Sequence, residues 1–297
     1  VHSVTPYTVY DKKGNILCYK GVALTPNLVS LLSLNELYKL DIQHNKETTE
    51  EQQENLIVSR ISQQTTNYIV DITEEFLKAA EKGTLPVIKS CYDARDRIIE
   101  EVKEHINLIN HIGELRISLD NYSISHGINV ATISTAIAFK MNFSKDEIKE
   151  ISLGALLHDI GKTRIPKQIL EKPEKLSLKE FEVIKLHAPL GYKIIKDEYK
   201  MTDNIALAAL DHQERYDGSG YNRKLKGDSI YRYAQIISLA DVYDAAVSEK
   251  AYAPSKTSRQ VVKELLKNST QFNPRILYTL VHMIDYNTGG LKEKIPV

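Results

Sequence analysis

The stretch EISLGALLHDIGKTRIP, residues 150–166, carries an apolar helical run straight into His158 and Asp159, then meets Gly161 and Pro166. An imidazole and a carboxylate at the end of a buried helix cost desolvation energy unless a metal or a proton partner takes up their lone pairs. Gly161 stands where a helix C-cap is wanted. Adjacent side chains on a helix diverge by about 100°, so His158 and Asp159 can face different metals, or Asp159 can bridge two through its two oxygens.

The same chemistry recurs outward from this stretch. His126 leads into GINVATISTAIA (127–138), a small-residue helix able to pack closely; His187 lies in EVIKLHAPLGYKII (182–195), in helical register with Val183 and Leu190. His212 ends another apolar run, and Asp241 follows IISLA (236–240). An unpaired carboxylate there pays a desolvation cost that a divalent cation removes. Taken in order, these four histidines and two aspartates predict a metal centre assembled from separate helices. His2, His44, His105, His111 and His282 lack that setting and receive no role, and Asp244, one turn beyond Asp241, reads as a helix cap or an arginine partner.

After residue 118 nearly everything reads as helix: 123–141, 145–158, 177–199, 203–212, 231–248, 258–267 and 274–285, with ends marked by Gly161, Pro166, Pro173, Gly218, Gly220 and Pro254. The N-terminal third differs. TVYDKKGNILC (8–18) is a hairpin pattern around Gly14 and Asn15, Thr25-Pro26 opens a short amphipathic helix over 27–40, and HNKETTEEQQEN (44–55) is a polar linker. Two helical patterns, broken at Gly83-Thr84-Leu85-Pro86, fill 56–115. The expected fold class is mainly α: an all-α catalytic domain at 118–297, a helical connector at 56–117, and a small α+β module with its linker at 1–55.

Composition excludes several classes. Of 297 residues, 39 are Lys or Arg and 39 are Asp or Glu, so no basic field gathers a nucleic acid polymer or an anionic membrane surface. No window approaches the roughly 18 apolar residues of a membrane span, and residues 1–10 lack a signal-peptide pattern. The two cysteines, Cys18 and Cys91, show no ligand spacing and suit reduced structural thiols, which with the missing signal implies a cytoplasmic protein. The isolated GSG at 218–220 lacks the strand-loop-helix setting of a phosphate loop, so ATP and NAD readings drop out.

HDIGKTRIP (158–166), DHQERYDGSGYNRKLKGDSI (211–230) and LADVYDAAVSEKAY (239–252), in this order, resemble the HD-GYP family of cyclic di-GMP phosphodiesterases, a branch of the HD phosphohydrolases. The resemblance runs from about Asn121 to Gly290, and residues 10–42 also look like a leader module found before such domains. It implies an HD-type helical catalytic domain and one metal held by His126, His158, Asp159 and Asp241, with a second held by Asp159, His187 and His212. It further implies iron or manganese as the metal pair, Asp159 as a catalytic residue and Tyr221 as a contact to the ligand. By charge and position, Lys162, one turn beyond His158, is a further catalytic residue that contacts a substrate phosphate oxygen, and Arg223 and Lys226, beside the DGSGY loop, are contacts to phosphate or guanine.

Three departures matter. Gln213 stands where the family has a second consecutive histidine, and its carbonyl is a weaker ligand than imidazole. Tyr122 replaces the glutamate of members with three metals, which limits this chain to two. The GYP tripeptide reads Gly220-Tyr221-Asn222, and losing the fixed φ of proline is expected to loosen the loop.

Three functions follow in descending order: hydrolysis of cyclic di-GMP to pGpG and slowly on to GMP, a weakened receptor for cyclic di-GMP motivated by Gln213 and Asn222, and an HD phosphohydrolase of another nucleotide. The GY(N) loop is the expected meeting point for GGDEF-type or other signalling proteins, and the apolar-faced helices of 56–115 suit a homodimer.

Overall fold

The computed structural model describes residues 9–10, 16–18, 63–82, 88–105, 122–248 and 256–285. The chain divides into two compact units, Val1–Gln53 and Glu54–Val297. In the first, β1 (Val9–Tyr10) pairs antiparallel with β2 (Ile16–Cys18), Val9 opposite Cys18 and Tyr10 opposite Ile16, with an irregularity between Val9 and Tyr10. These are the two arms of the hairpin expected from TVYDKKGNILC. The helix at 27–40, the linker at 44–55, the break at 83–86 and Pro254 lie outside the described residues.

Among the described residues the second unit is helical. It runs α1 (Gln63–Glu81), α2 (Ile88–His105), α3 (Tyr122–Lys140), α4 (Lys145–Leu156), α5 (Lys167–Leu170), α6 (Leu178–Lys185), α7 (His187–Lys193), α8 (Asp203–Asp211), α9 (Arg232–Val247), α10 (Ser258–Lys267) and α11 (Pro274–Asp285). The central element is α3, whose Ile128, Val130, Ala131, Ile133, Ala136, Ile137 and Ala138 are all fully buried. A helix apolar on every side must be covered on every side, and α2, α4, α9 and α11 all pack against it. Its two buried threonines bond within the helix: Thr132 Oγ1 donates to the Ile128 carbonyl at 2.8 Å and Thr135 Oγ1 to that of Ala131 at 2.7 Å. Truncating Ile128 or Ile137 to alanine would cost about 2–5 kcal/mol.

The stretch read as a connector belongs to the same core, since α2 buries Ala94, Ile98 and Val102 beside Ile124 and Ile128 of α3. Local signals set several helix starts. Ser144 and Glu147 form a capping box at the start of α4, and Thr257 and Gln260 another before α10. The helix expected over 177–199 is instead α6, α7 and a π turn at Ile194–Glu198. The first break falls where His187 Nδ1 donates to the Ile184 carbonyl at 2.7 Å, a group an unbroken helix would use for its own ladder.

Candidate metal centre

Each of five elements delivers a ligand type to one point. His126 sits in the first turns of α3, His158 and Asp159 follow the end of α4, His187 opens α7, His212 follows α8, and Asp241 lies within α9. Close backbone approach brings the α4 end to α7. A Cβ built on Gly161 would lie 1.8 Å from the His187 carbonyl oxygen and 2.6 Å from the Gly191 nitrogen, so only glycine lets the two segments touch. This corrects the expected role of Gly161: α4 already ends at Leu156 with Leu157 as its cap, and Gly161 lies in a 3-10 turn, Ile160–Arg164, as a contact surface.

The four imidazoles are buried, at 6% exposure or less. His158, His187 and His212 share one device: each Nδ1–H donates to the backbone carbonyl three residues earlier, Ala155, Ile184 and Ala209, all at 2.7 Å. A carbonyl can only accept, so the proton belongs on Nδ1 and the Nε2 lone pair faces the centre. The fourth, His126, turns its Nδ1 to Asp244 Oδ2 at 2.8 Å and its Nε2 to Asp241 Oδ1 at 3.2 Å.

Asp159 is the hub. Its Oδ2 lies 3.3 Å from His158 Nε2 and 3.9 Å from His126 Nε2, and its Oδ1 lies 3.5 Å from His187 Nε2 and 3.8 Å from His212 Nε2. His187 Nε2 and His212 Nε2 are 3.1 Å apart. With both Nδ1 atoms donating, two lone pairs face each other there unless a positive charge intervenes. Burial lowers the pKa of both rings, and neighbouring histidines push His212 well down, so a second ring proton is disfavoured. His158 Nε2 and Asp159 Oδ1 are buried without a hydrogen-bond partner among the described residues. Three imidazoles with inward Nε2 lone pairs, ionised carboxylates and orphaned polar atoms on one point fit a divalent cation, and the groups His126, His158, Asp241 and His158, Asp159, His212 each bring their ligand atoms within 4.8 Å of one another.

The carboxylates demand positive charge. Burial opposes ionisation of Asp159, yet Lys162 and the histidines outweigh it and hold the carboxyl well below the usual range. Burial also opposes charging of His126, but hydrogen bonds to Asp241 and Asp244 overcome it and push the ring up to about 10. A cation at this point would supply the charge that proton now supplies.

The structure sorts the remaining expected residues. Lys162 Nζ donates to Asp159 Oδ2 while its side chain stays 41% exposed. Tyr221 is half-buried, its backbone N–H donates to the Gln213 carbonyl at 3.2 Å, and burial together with the charges of Asp159 and Asp241 raises its pKa. Gln213 Nε2 donates to Asp241 Oδ2 at 3.3 Å, so its amide holds a carboxylate of the cluster. Arg223 and Lys226 are not brought to it. Arg223 pairs with the buried Asp211 at 3.3 Å and lines a separate cavity of about 630 Å³, while the exposed Lys226 packs its stem on Gly218.

Asn222 corrects the expectation for its loop. Its φ is 91°, a left-handed value that proline cannot adopt. The tripeptide is therefore differently bent and not simply looser. Gly220 seats it, since a Cβ there would lie 2.4 Å from both Glu214 Cα and Arg215 N.

Two functional acids escaped sequence reasoning. Asp244 is fully buried on His126, where a cap or an arginine partner was expected; its spacing of three from Asp241 placed it on the same helix face. Glu214 is 1% exposed and accepts the backbone N–H groups of Arg223, Lys224 and Leu225 at 2.6, 3.1 and 3.2 Å, fixing the loop after Tyr221.

Comparison with known proteins places this geometry. The HD domain profile matches residues 96–276. A cyclic di-GMP phosphodiesterase of Pseudomonas aeruginosa is 30% identical over 200 residues, 67% of this chain and 48% of that protein. One of Thermotoga maritima is 34% identical over 191 residues, 64% of this chain and 51% of that protein. The chain thus spans about half the length of these curated relatives. Among solved structures, the HDG"Y"P protein of Bdellovibrio bacteriovorus matches with TM-score 0.58 and 18% identity over 97% of this chain and 96% of that one, a likeness of fold.

Proposed function

Because the chain belongs to the HD domain family, we propose that it is a metal-dependent phosphodiesterase that opens cyclic di-GMP to linear pGpG. The observation that carries this reading is the convergence of His126, His158, Asp159, His187, His212 and Asp241 on one buried point, with His158 Nε2 and Asp159 Oδ1 unpartnered there. The named activity of the relatives from Pseudomonas aeruginosa and Thermotoga maritima supports the choice of substrate.

In this reading His126, His158, Asp159 and Asp241 hold one divalent cation and Asp159, His187 and His212 hold the other, with iron or manganese suited to the nitrogen and carboxylate donors. Bound there, such cations supply an activated water near neutral pH and polarise phosphoryl oxygens. The chain's own residues then set geometry. Lys162, anchored on Asp159 and still 41% exposed, offers its ammonium to a phosphate oxygen. Tyr221 is tied by its backbone N–H to the carbonyl of Gln213, next to His212. Asp244 and Gln213 hold His126 and Asp241 in place. Water adds to phosphorus, the bond to the 3′ oxygen breaks, and a 3′-hydroxyl and a 5′-phosphate result. Such a reaction suits a cytoplasmic enzyme; among the described residues no helix is long and apolar enough to cross a membrane.

The test is a time course of cyclic di-GMP breakdown by protein purified anaerobically and loaded with Fe²⁺ or Mn²⁺, with pGpG and GMP separated by chromatography. Product formation that disappears in His158→Ala and Asp159→Ala is expected, and turnover retained by either variant would refute the two-metal assignment. One observation favours a second reading, a receptor with weak hydrolysis: Gln213 donates to Asp241 where an imidazole would bind metal. Binding of cyclic di-GMP without product by fully metallated protein would select it.

A further inference from the structure

Helix α6 buries none of its residues, yet it is attached to the metal centre more tightly than its exposure suggests. Its Ile184 carbonyl takes the Nδ1 proton of His187, two residues beyond Lys185. Two of its apolar residues face outward, Leu178 at 86% exposure and Phe181 at 41%, while Val183 and Ile184 are half-buried. A helix that spends a phenylalanine on solvent beside a ligand cluster needs a reason other than core packing.

Phe181 is not isolated. Its ring meets that of Tyr221 edge to face, with centroids 6.2 Å apart and planes at 73°. Lys185 Nζ lies 4.8 Å from the Phe181 centroid and 5.6 Å from that of Tyr221, bracing both rings by cation–π attraction, while Glu182 holds the same ammonium at 2.6 Å. The backbone N–H of Tyr221 donates to the Gln213 carbonyl at 3.2 Å, and the Gln213 amide in turn reaches Asp241 of the cluster at 3.3 Å. The series therefore runs from the phosphate-handling cluster through Tyr221 to Phe181, the order in which phosphate, sugar and base follow each other in a nucleotide. Exposed aromatic rings beside a phosphate site are stacking surfaces, because every base presents a π face.

We propose that Phe181 and Tyr221, braced by Lys185, form the platform on which a guanine base of the substrate stacks while its phosphodiester lies at the His/Asp cluster. This inference rests on the cyclic di-GMP reading and assigns Phe181 a part in substrate affinity, with no part in bond cleavage. Because Phe181 is 41% exposed and belongs to neither buried core cluster, it can be changed without opening the core.

The experiment compares wild type, Phe181→Leu and Phe181→Trp, each loaded with Mn²⁺, in steady-state hydrolysis of cyclic di-GMP. Leucine keeps the apolar bulk and removes the π face; tryptophan restores it. The expected result is a KM raised roughly 5- to 150-fold in Phe181→Leu, the range a single base stack accounts for, with kcat within about twofold and recovery in Phe181→Trp. A cyclic dinucleotide carrying 2-aminopurine should lose fluorescence on binding wild type and keep it with Phe181→Leu. Unchanged KM and unchanged quenching in Phe181→Leu, with an active wild type, would overturn the platform and leave the phosphodiesterase reading standing. Absence of turnover and of binding in the wild type would overturn both.

Discussion

Asp244 Oδ2 lies 2.8 Å from His126 Nδ1, and the two residues are separated by 118 positions in sequence. Asp244 is fully buried, and Ser248 Oγ donates to the same oxygen at 3.3 Å. An imidazole that carries a carboxylate on one nitrogen is oriented and made more basic on the other, so Asp244 would tune a metal held by His126 without touching it. Replacing Asp244 by asparagine keeps the shape and removes the charge. Metal affinity should fall about 10- to 100-fold, measured by competition with a chelator of known affinity, while far-UV circular dichroism stays that of wild type. Unaltered affinity would place Asp244 in folding alone.

Gln213 offers the complementary change. Its amide donates to Asp241 at 3.3 Å from the position next to His212. Gln213→His exchanges a neutral donor for an imidazole lone pair. Metal bound per chain and turnover of cyclic di-GMP should both rise, turnover by about tenfold. If metal content by mass spectrometry stays constant, Gln213 is not what limits the site.

Asn222 yields a prediction opposite to the one its neighbours in the GY(N) tripeptide suggest. At φ 91° it occupies backbone space closed to proline. Asn222→Pro should therefore destabilise the protein by about 1–3 kcal/mol, seen as a lower midpoint in denaturant, whereas Asn222→Gly should be close to neutral or stabilising. A proline variant as stable as wild type would show that the loop can adopt a second conformation.

Gly161 should tolerate nothing larger. A methyl group 1.8 Å from the His187 carbonyl must drive the 3-10 turn and α7 apart. In Gly161→Ala the separation of Asp159 from His187 grows, overpacking costs about 1–3 kcal/mol, and metal stoichiometry should fall below that of wild type. Full metal occupancy with an unchanged thermal midpoint would count against close contact as the reason for glycine here.

Local pattern made much of this legible. The helices at 258–267 and 274–285 were read with the bounds the structure shows, because capping residues and apolar spacing act within a few residues of the ends they set. His126, His158, Asp159, His187, His212 and Asp241 stood out because each is a costly group at the edge of an apolar run, a property visible without knowing its neighbours.

What tertiary structure alone decided are the pairings between segments far apart. Residue 244 meeting residue 126, Gly161 lying under His187, Arg223 turning to Asp211, and Phe181 meeting Tyr221 all depend on how helices cross. The left-handed backbone at Asn222 is likewise set by the seat that Gly220 finds on the Glu214–Arg215 backbone. Ligand types are chemistry written residue by residue, whereas the distances that make them one centre come from core packing around α3, which no short window of sequence contains.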